Sequence, residues 1–443
     1  MTTSIVIFSL VILMIIGLPL AAVMGLAAMT CVIVFTRIPA PAVFQQLYQG
    51  SEYDLLQAVV FFIVAGGIMT KGTLASRLVR IGQALVGGIT GGMAITSVLI
   101  CMFFAAVSGS SPATVVAVGS IMIPALIESG YGSNFSIGLL TSTGSLGIMI
   151  PPSIPMIIWA VVMGVSVTKQ FIAGFLPGLI LGGVLIVYSY LTARRNRWRT
   201  ESRWSWPEIK AAFREGIWGL FMPILVLGGI YTGIFTATEA ASVAFAYALF
   251  VELVIHRSLT LKDLVPVFKQ SILTSSMLLF IIANAAVLSY YFSVDQIPLR
   301  VADFLLQYID NKYLFLFLVN VGLLSMGCFM DIVSAMLVLG PVFLPLLQKF
   351  NIDPIHFGII MVLNIEVAFL TPPFGVNLFV SSLRSLIPDH LCSGDIVDYN
   401  EVDRIMRIIL VLIKLFRHAW TRINTNKGFK TNKGNSKRKL ISC

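Results

Sequence analysis

The sequence predicts an all-α integral membrane protein built as an inverted repeat, with two opposed re-entrant helical hairpins and two helices broken at Pro-Pro pairs. Three observations carry that prediction. Of the 443 residues, 57% are hydrophobic and only 11% charged, with a mean hydropathy of +0.93; a soluble domain carries about 25% charged residues. Long apolar stretches alternate with links whose charge is unequal. A pattern of glycines and prolines recurs at one fixed spacing along the chain.

The composition first removes whole classes. The missing charges are surface positions that water would need, so a soluble enzyme is excluded. A disordered chain would need low hydrophobicity and high charge. The formal charge of +10, from 30 basic against 20 acidic residues, marks cytoplasmic loops in such a protein, not nucleic-acid binding. Cys31, Cys101, Cys328, Cys392 and Cys443 are scattered, and the four histidines are isolated, so no redox or zinc site is visible. No Walker A sequence and no nucleophile elbow occur. The apolar start, Ile5 to Leu20, lacks a basic flank and a small-residue cleavage site and is read as membrane-resident.

Apolar stretches run over about 4–35, 55–70, 90–127, 135–165, 171–192, 217–255, 270–292, 313–349 and 356–383, and a span needs about 20 residues. Segment 193–215 holds Arg194, Arg195, Arg197, Arg199, Arg203, Lys210 and Arg214, the mark of a cytoplasmic linker. Lys71, Arg77 and Arg80 mark a second such link, and Arg257, Lys262 and Lys269 a third. Links 36–54 and 293–312 are richer in acid and belong outside. Counting crossings between these links leaves 90–127 too long for one span. It must dip in and return at a tip near 108–112. Stretch 313–349 must do the same near Gly327–Asp331, from the opposite face. The chain thus divides into a first repeat over 1–192, the linker, a second repeat over 216–383 and a basic tail over 384–443. The tail's end, Thr421 to Cys443, is expected to be disordered and cytoplasmic.

The recurring pattern agrees. Gly340, Pro345, Pro372 and Pro373 each follow Gly119, Pro124, Pro151 and Pro152 by the same 221 positions. Paired interrupted helices in inverted repeats place a binding site at the midplane of secondary transporters. Backbone broken at membrane depth survives only where protein, water or an ion satisfies it. The tip Ser108-Gly109-Ser110-Ser111-Pro112-Ala113-Thr114 offers carbonyls and hydroxyls, and the helix after it presents a positive dipole end to an anion. Exposed carbonyls are also the hard oxygens that sodium prefers. The alternative is a tightly packed kink with no ligand. Asp331, an ionisable group in the membrane, either caps its helix or joins a cation site. Glu366 faces either a water-filled cavity or a basic partner.

Other features read as structure. Glu239 belongs to a helix start capped by Thr236 or Thr238. Gly87-Gly88 and Gly91-Gly92 have the spacing of close helix packing. Trp198, Trp204, Trp206 and Trp218 suit an interfacial belt.

The segments 108–131, 144–159, 229–251, 327–347 and 351–380 (SGSSPATVVAVGSIMIPALIESGY, GSLGIMIPPSIPMIIW, GIYTGIFTATEAASVAFAYALFV, GCFMDIVSAMLVLGPVFLPLL and NIDPIHFGIIMVLNIEVAFLTPPFGVNLFV) resemble the large membrane subunit of tripartite ATP-independent periplasmic (TRAP) transporters. The likeness covers about 1–382. It implies an elevator-type, sodium-coupled carrier of the bacterial inner membrane that imports C4-dicarboxylates, sialic acid or related organic acids. It implies a small membrane subunit and a periplasmic solute-binding protein as partners, and no cofactor beyond sodium as coupling ion. Carried over by position, one sodium site comprises Ser108, Gly109, Ser111, Gly147 and Pro151, and the other Ser325, Gly327, Asp331, Thr371 and Pro372. Substrate sits between them, near Ser110, Ser111, Pro112, Thr114, Ser153 and Asn364. The family has proline where Ala237 stands, and a further membrane span where this chain has only about Ile405–Phe416, interrupted by Arg407 and Lys414. Two other readings are a stand-alone sodium-coupled carboxylate carrier of similar hairpin architecture and a non-transporting scaffold.

Overall fold

The computed structural model describes residues 22–23, 25–27, 29–30, 39–52, 54–198, 205–309, 311–327, 331–371, 376–381, 402, 404–407 and 409–411. Among them the chain is helical throughout. In order, α1 is Ala40–Ser51, α2 Asp54–Lys71, α3 Leu74–Val86, α4 Gly92–Ser108, α5 Ser111–Glu128, α6 Ser133–Thr143, α7 Leu146–Met149, α8 Ile154–Met163 and α9 Val167–Arg195. The second half gives α10 Trp206–Tyr231, α11 Ala237–Phe250 continued by a π-helical turn Val251–Ile255, α12 Leu261–Val294, α13 Ile297–Leu306, α14 Lys312–Gly327, α15 Ile332–Lys349, α16 Pro354–Phe369 and α17 Val376–Ser381. Eight helical segments of the described chain are long and apolar enough to cross a membrane, so the protein is multi-pass.

Local chemistry sets the boundaries that matter. Helix α4 stops because Gly109 takes a left-handed conformation, φ 60°, which costs glycine least. Helix α5 starts one residue later, with Ser110 extended and Pro112 in the first turn, where a missing N–H is harmless. After α7 the chain is extended at Ile150 and again at Ser153 before α8 begins. The helix is thus interrupted around Pro151 and Pro152. In the second half, α14 ends at Gly327 and Asp331 caps α15. The Pro372–Pro373 break lies outside the described residues, as do Ile5 to Leu20 and Thr421 to Cys443.

The 221-residue spacing reappears in the coordinates. Shifted by it, α5 coincides with α15 end to end, and the first residue of α6 falls on the first residue of α16. The two halves exchange their short broken-helix pieces: α8 packs on α15 and α16, while α17 packs on α5 and α6. The buried Trp159 of α8 fixes the first of these contacts, donating its indole N–H to the Pro354 carbonyl at 2.9 Å. Gly358 makes room for that ring, since a Cβ there would lie 2.3 Å from it.

The links hold more structure than the sequence suggested. Segments 36–54, 71–80 and 293–312 carry the helices α1, α3 and α13, short amphipathic elements that hydropathy alone merges with loops. Gly87 and Gly91 end α3 and open α4, with Gly91 at φ 77°. They build a tight turn, and Gly91 also lets that turn close on α9, since a Cβ there would lie 2.8 Å from Ala193 Cβ. Trp198 sits against Tyr131 and Phe135 at 4.8 Å from each, turned inward, whereas Trp206 and Trp218 are exposed.

Candidate functional site

The first helix pair folds its tip onto the neighbouring broken helix. Ser110 O accepts from the Thr114 backbone at 3.1 Å and from Thr114 Oγ1 at 2.9 Å. Ser108 Oγ shares a 2.9 Å hydrogen bond with Thr114 Oγ1. The Gly109 carbonyl accepts from Ile154 N, the first residue of α8, at 3.3 Å. On the other side, a Cβ at Gly147 would stand 2.6 Å from Ser110 O and 2.7 Å from Thr114 Oγ1. Ser108, Gly109, Ser110, Ser111, Thr114, Gly147, Pro151 and Ser153 therefore share one region, with Pro112 half-buried at its rim. Internal bonds account for Ser108, Ser110 and Thr114, as a packed kink would.

Ser111 is different. Its Oγ donates to Glu366 Oε1 at 2.7 Å and accepts from Asn377 Nδ2 at 2.6 Å, and Asn377 Nδ2 also donates to Glu366 Oε1 at 2.8 Å. The three side chains form a closed triangle between the start of α5, the last turn of α16 and α17. All are buried, Glu366 to 2% exposure. The described partners of Glu366 are thus two neutral polar groups, neither the cation nor the open water expected of it. Among the described residues, its Oε2 and the Oδ1 of Asn377 have no hydrogen-bond partner, nor has Ser153 Oγ. A buried carboxylate oxygen is costly unless a donor or a positive charge compensates it, so Oε2 of Glu366 is the atom of this site best suited to a proton or a cation.

The second-half candidates are more dispersed. Asp331 caps α15: Oδ2 accepts from Ser334 N at 3.1 Å and Oδ1 from Ser334 Oγ. Ser325 is exposed and donates to the Val321 carbonyl at 2.9 Å. Gly327 lets α14 close on α16, because a Cβ there would meet Ala368 Cβ at 2.6 Å. Thr371 Oγ1 donates to Val367 O at 2.8 Å. Asn364 turns to α14, donating to Asn320 Oδ1 and to Ile360 O at 2.7 Å. Pro372 lies outside the described residues.

Sequence reasoning missed Asn377 altogether and left Glu366 without a role. A signal existed for the second: Glu366 is the one carboxylate between Asp353 and Asp389. None existed for Asn377, whose equivalent 221 positions earlier is Met156.

Comparison with known proteins places this geometry. The family model described as "Tripartite ATP-independent periplasmic transporter, DctM component" matches residues 7–399, past Ser382 where the likeness was expected to stop. A Pseudomonas aeruginosa protein named C4-dicarboxylate TRAP transporter large permease protein DctM is 43% identical over 365 residues, 82% of this chain and 86% of that protein. The 2,3-diketo-L-gulonate TRAP transporter large permease protein YiaN of Escherichia coli is 36% identical over 83% of this chain and 86% of its own length. The crystal structure of the Alcanivorax borkumensis YdaH transporter, at 17% identity, shares the fold with a TM-score of 0.60 over 97% of this chain and 99% of that one. The Pseudomonas and Escherichia relatives are named transporter permeases, a non-enzymatic family. On the strength of the family model and these identities, the chain belongs to the DctM component family of tripartite ATP-independent periplasmic transporters.

Proposed function

We propose that the chain is the large subunit of a sodium-coupled, ATP-independent carrier in the bacterial inner membrane. It imports an organic acid of the C4-dicarboxylate, sialic acid or related kind, delivered by a periplasmic binding protein, and works with a small membrane subunit. The observation that carries this reading is the Ser111–Glu366–Asn377 triangle, two of whose oxygens have no partner among the described residues. It joins the tip of one half's helix pair to the broken helix of the other. Carboxylate and amide oxygens are hard ligands, and a sodium ion there offsets the cost of burying the Glu366 charge. Ser153 Oγ and the first sodium set, Ser108, Gly109, Ser111, Gly147 and Pro151, surround the same region. The second set around Asp331 and Thr371 serves a second ion.

The start of α5 supplies the other half of the chemistry. Its first-turn N–H groups and dipole favour an anion, so the substrate carboxylate sits against Ser110 to Thr114. With the two helix pairs entering from opposite faces, an elevator movement of this region exposes it to each side in turn. The names of relatives that handle C4-dicarboxylates and 2,3-diketo-L-gulonate support a carboxylate cargo. The test is uptake of radiolabelled dicarboxylates and sialic acid into proteoliposomes holding this chain and its small subunit. A sodium gradient should drive uptake only when the binding protein is present. Uptake without that protein would favour a stand-alone carrier, and none under any condition would favour a scaffold.

A further inference from the structure

Sharing no residue with the triangle, α3, α10 and the π-helical turn after α11 border a cavity of about 600 Å³ lined by Arg77, Lys210, Arg214, Glu215, Trp218 and His256. Its charge is one-sided. The Glu215 carboxylate is taken up by Arg80. Arg77 is held in place by Thr73 Oγ1 and the Glu215 carbonyl, each at 3.2 Å, both neutral acceptors. Among the described residues, Lys210 and Arg214 form no ion pair. The His256 side chain is 3% exposed, with Glu252 Oε2 3.7 Å from Nδ1. Neither ring nitrogen makes a hydrogen bond of good geometry, although the Glu215 backbone lies close by.

The surface below the cavity names the occupant. On α10 the positions Lys210, Arg214, Ile217, Phe221 and Ile224 follow one helical face, since steps of three and four residues stay on one side. The two cations sit at its end, and Ile217, Phe221 and Ile224 are exposed along it to 52%, 46% and 65%. Trp218, exposed beside the cavity, has the amphipathic ring that favours the membrane–water interface. Cations above, a tryptophan at the boundary and bare aliphatic surface beneath describe a phospholipid from headgroup to tail. The basic end of α10 is also the cytoplasmic end by charge bias, and basic pockets between spans on that side bind anionic headgroups.

We propose that this cavity binds the phosphodiester headgroup of an anionic phospholipid, with Arg77, Lys210 and Arg214 neutralising the phosphate and the acyl chains lying on Ile217, Phe221 and Ile224. The commitment is to a lipid; a soluble phosphate shares the chemistry but does not use the apolar face.

The experiment measures thermal unfolding and co-purified lipid for the full chain in nanodiscs of phosphatidylcholine, with and without phosphatidylglycerol. Phosphatidylglycerol should raise the unfolding temperature of the wild type and co-purify with it. Each charge removed at Lys210→Gln or Arg214→Gln should weaken that lipid's retention about five-fold. The double variant should lose it, while Lys210→Arg with Arg214→Lys keeps it. Lys262→Gln, a charge change on another exposed surface, should leave it unchanged. Equal retention in the double variant and the wild type overturns the proposal. So does full stabilisation by inorganic phosphate alone, which would mark a soluble-anion site. Displacement of the lipid by the small subunit, with Lys210 and Arg214 cross-linking to its carboxylates, would make the cavity a protein interface and overturn it as well.

Discussion

Gly147→Ala tests how tightly the hairpin tip is docked. The added methyl carbon would lie 2.6 Å from Ser110 O and 2.7 Å from Thr114 Oγ1. Contacts between carbon and oxygen settle at about 3.3–3.6 Å, so one partner must retreat by about 0.7 Å. Ser110 O is a backbone atom already accepting from Thr114 N and Oγ1, and moving it loosens both bonds. Overpacking costs about 1–3 kcal/mol and each weakened hydrogen bond up to about 1 kcal/mol. The better helix propensity of alanine returns at most about 1 kcal/mol. The net loss is about 2–4 kcal/mol, concentrated at the tip. Gly183→Ala is the matched control: it lies in α9 with nothing within 4 Å of the new Cβ, so it should be neutral or slightly stabilising. Unfolding in denaturing detergent and substrate uptake are measured for both. If Gly147→Ala matches Gly183→Ala in stability and transport, the tip does not pack on the broken helix as described.

Glu366→Gln keeps an acceptor for Ser111 and Asn377, so it should fold normally yet lose most sodium-dependent stabilisation. Glu366→Ala strands both donors and should cost about 2–4 kcal/mol; a Gln variant as unstable as Ala, or with wild-type sodium response, would oppose a charge-based role. Asp331→Asn retains an efficient helix cap, so any large rise in the sodium needed for uptake isolates a cation role from the cap; unchanged sodium dependence leaves Asp331 a cap alone. Burial first, and the Arg77 charge second, hold His256 below its ordinary value of 6.5 despite the opposing pull of Glu252. The unfolded chain therefore binds more protons as pH falls below about 6.5, and stability should decline there. His256→Gln should flatten that decline, and parallel pH profiles for the two proteins would count against it.

The helix break at 108–112 was legible because breaking a helix in lipid leaves a compositional trace: Gly109 for the left-handed turn and Pro112 in the first turn that follows. The repeat was legible for the same reason, since four Gly and Pro positions fixed the offset that α5 and α15 obey. Amphipathic α3 and α13 escaped because their charged faces resemble loops when hydropathy is averaged. The triangle escaped for a deeper reason. Ser111, Glu366 and Asn377 are joined across 255 and 266 positions, and nothing local to Asn377 records that partnership. Pseudo-symmetry did not help, because the repeat places Ser145 and Met156 opposite Glu366 and Asn377.

Under the proposed function, the Glu366 carboxylate beneath the hairpin tip couples sodium to solute. The direct measurement is dicarboxylate accumulation in proteoliposomes of the assembled carrier, with sodium or choline outside, for the wild type and Glu366→Gln. Sodium-driven accumulation in the wild type, lost in a folded Gln variant, is the predicted result. Equal accumulation in choline, or an unaltered sodium response in the variant, would contradict the account.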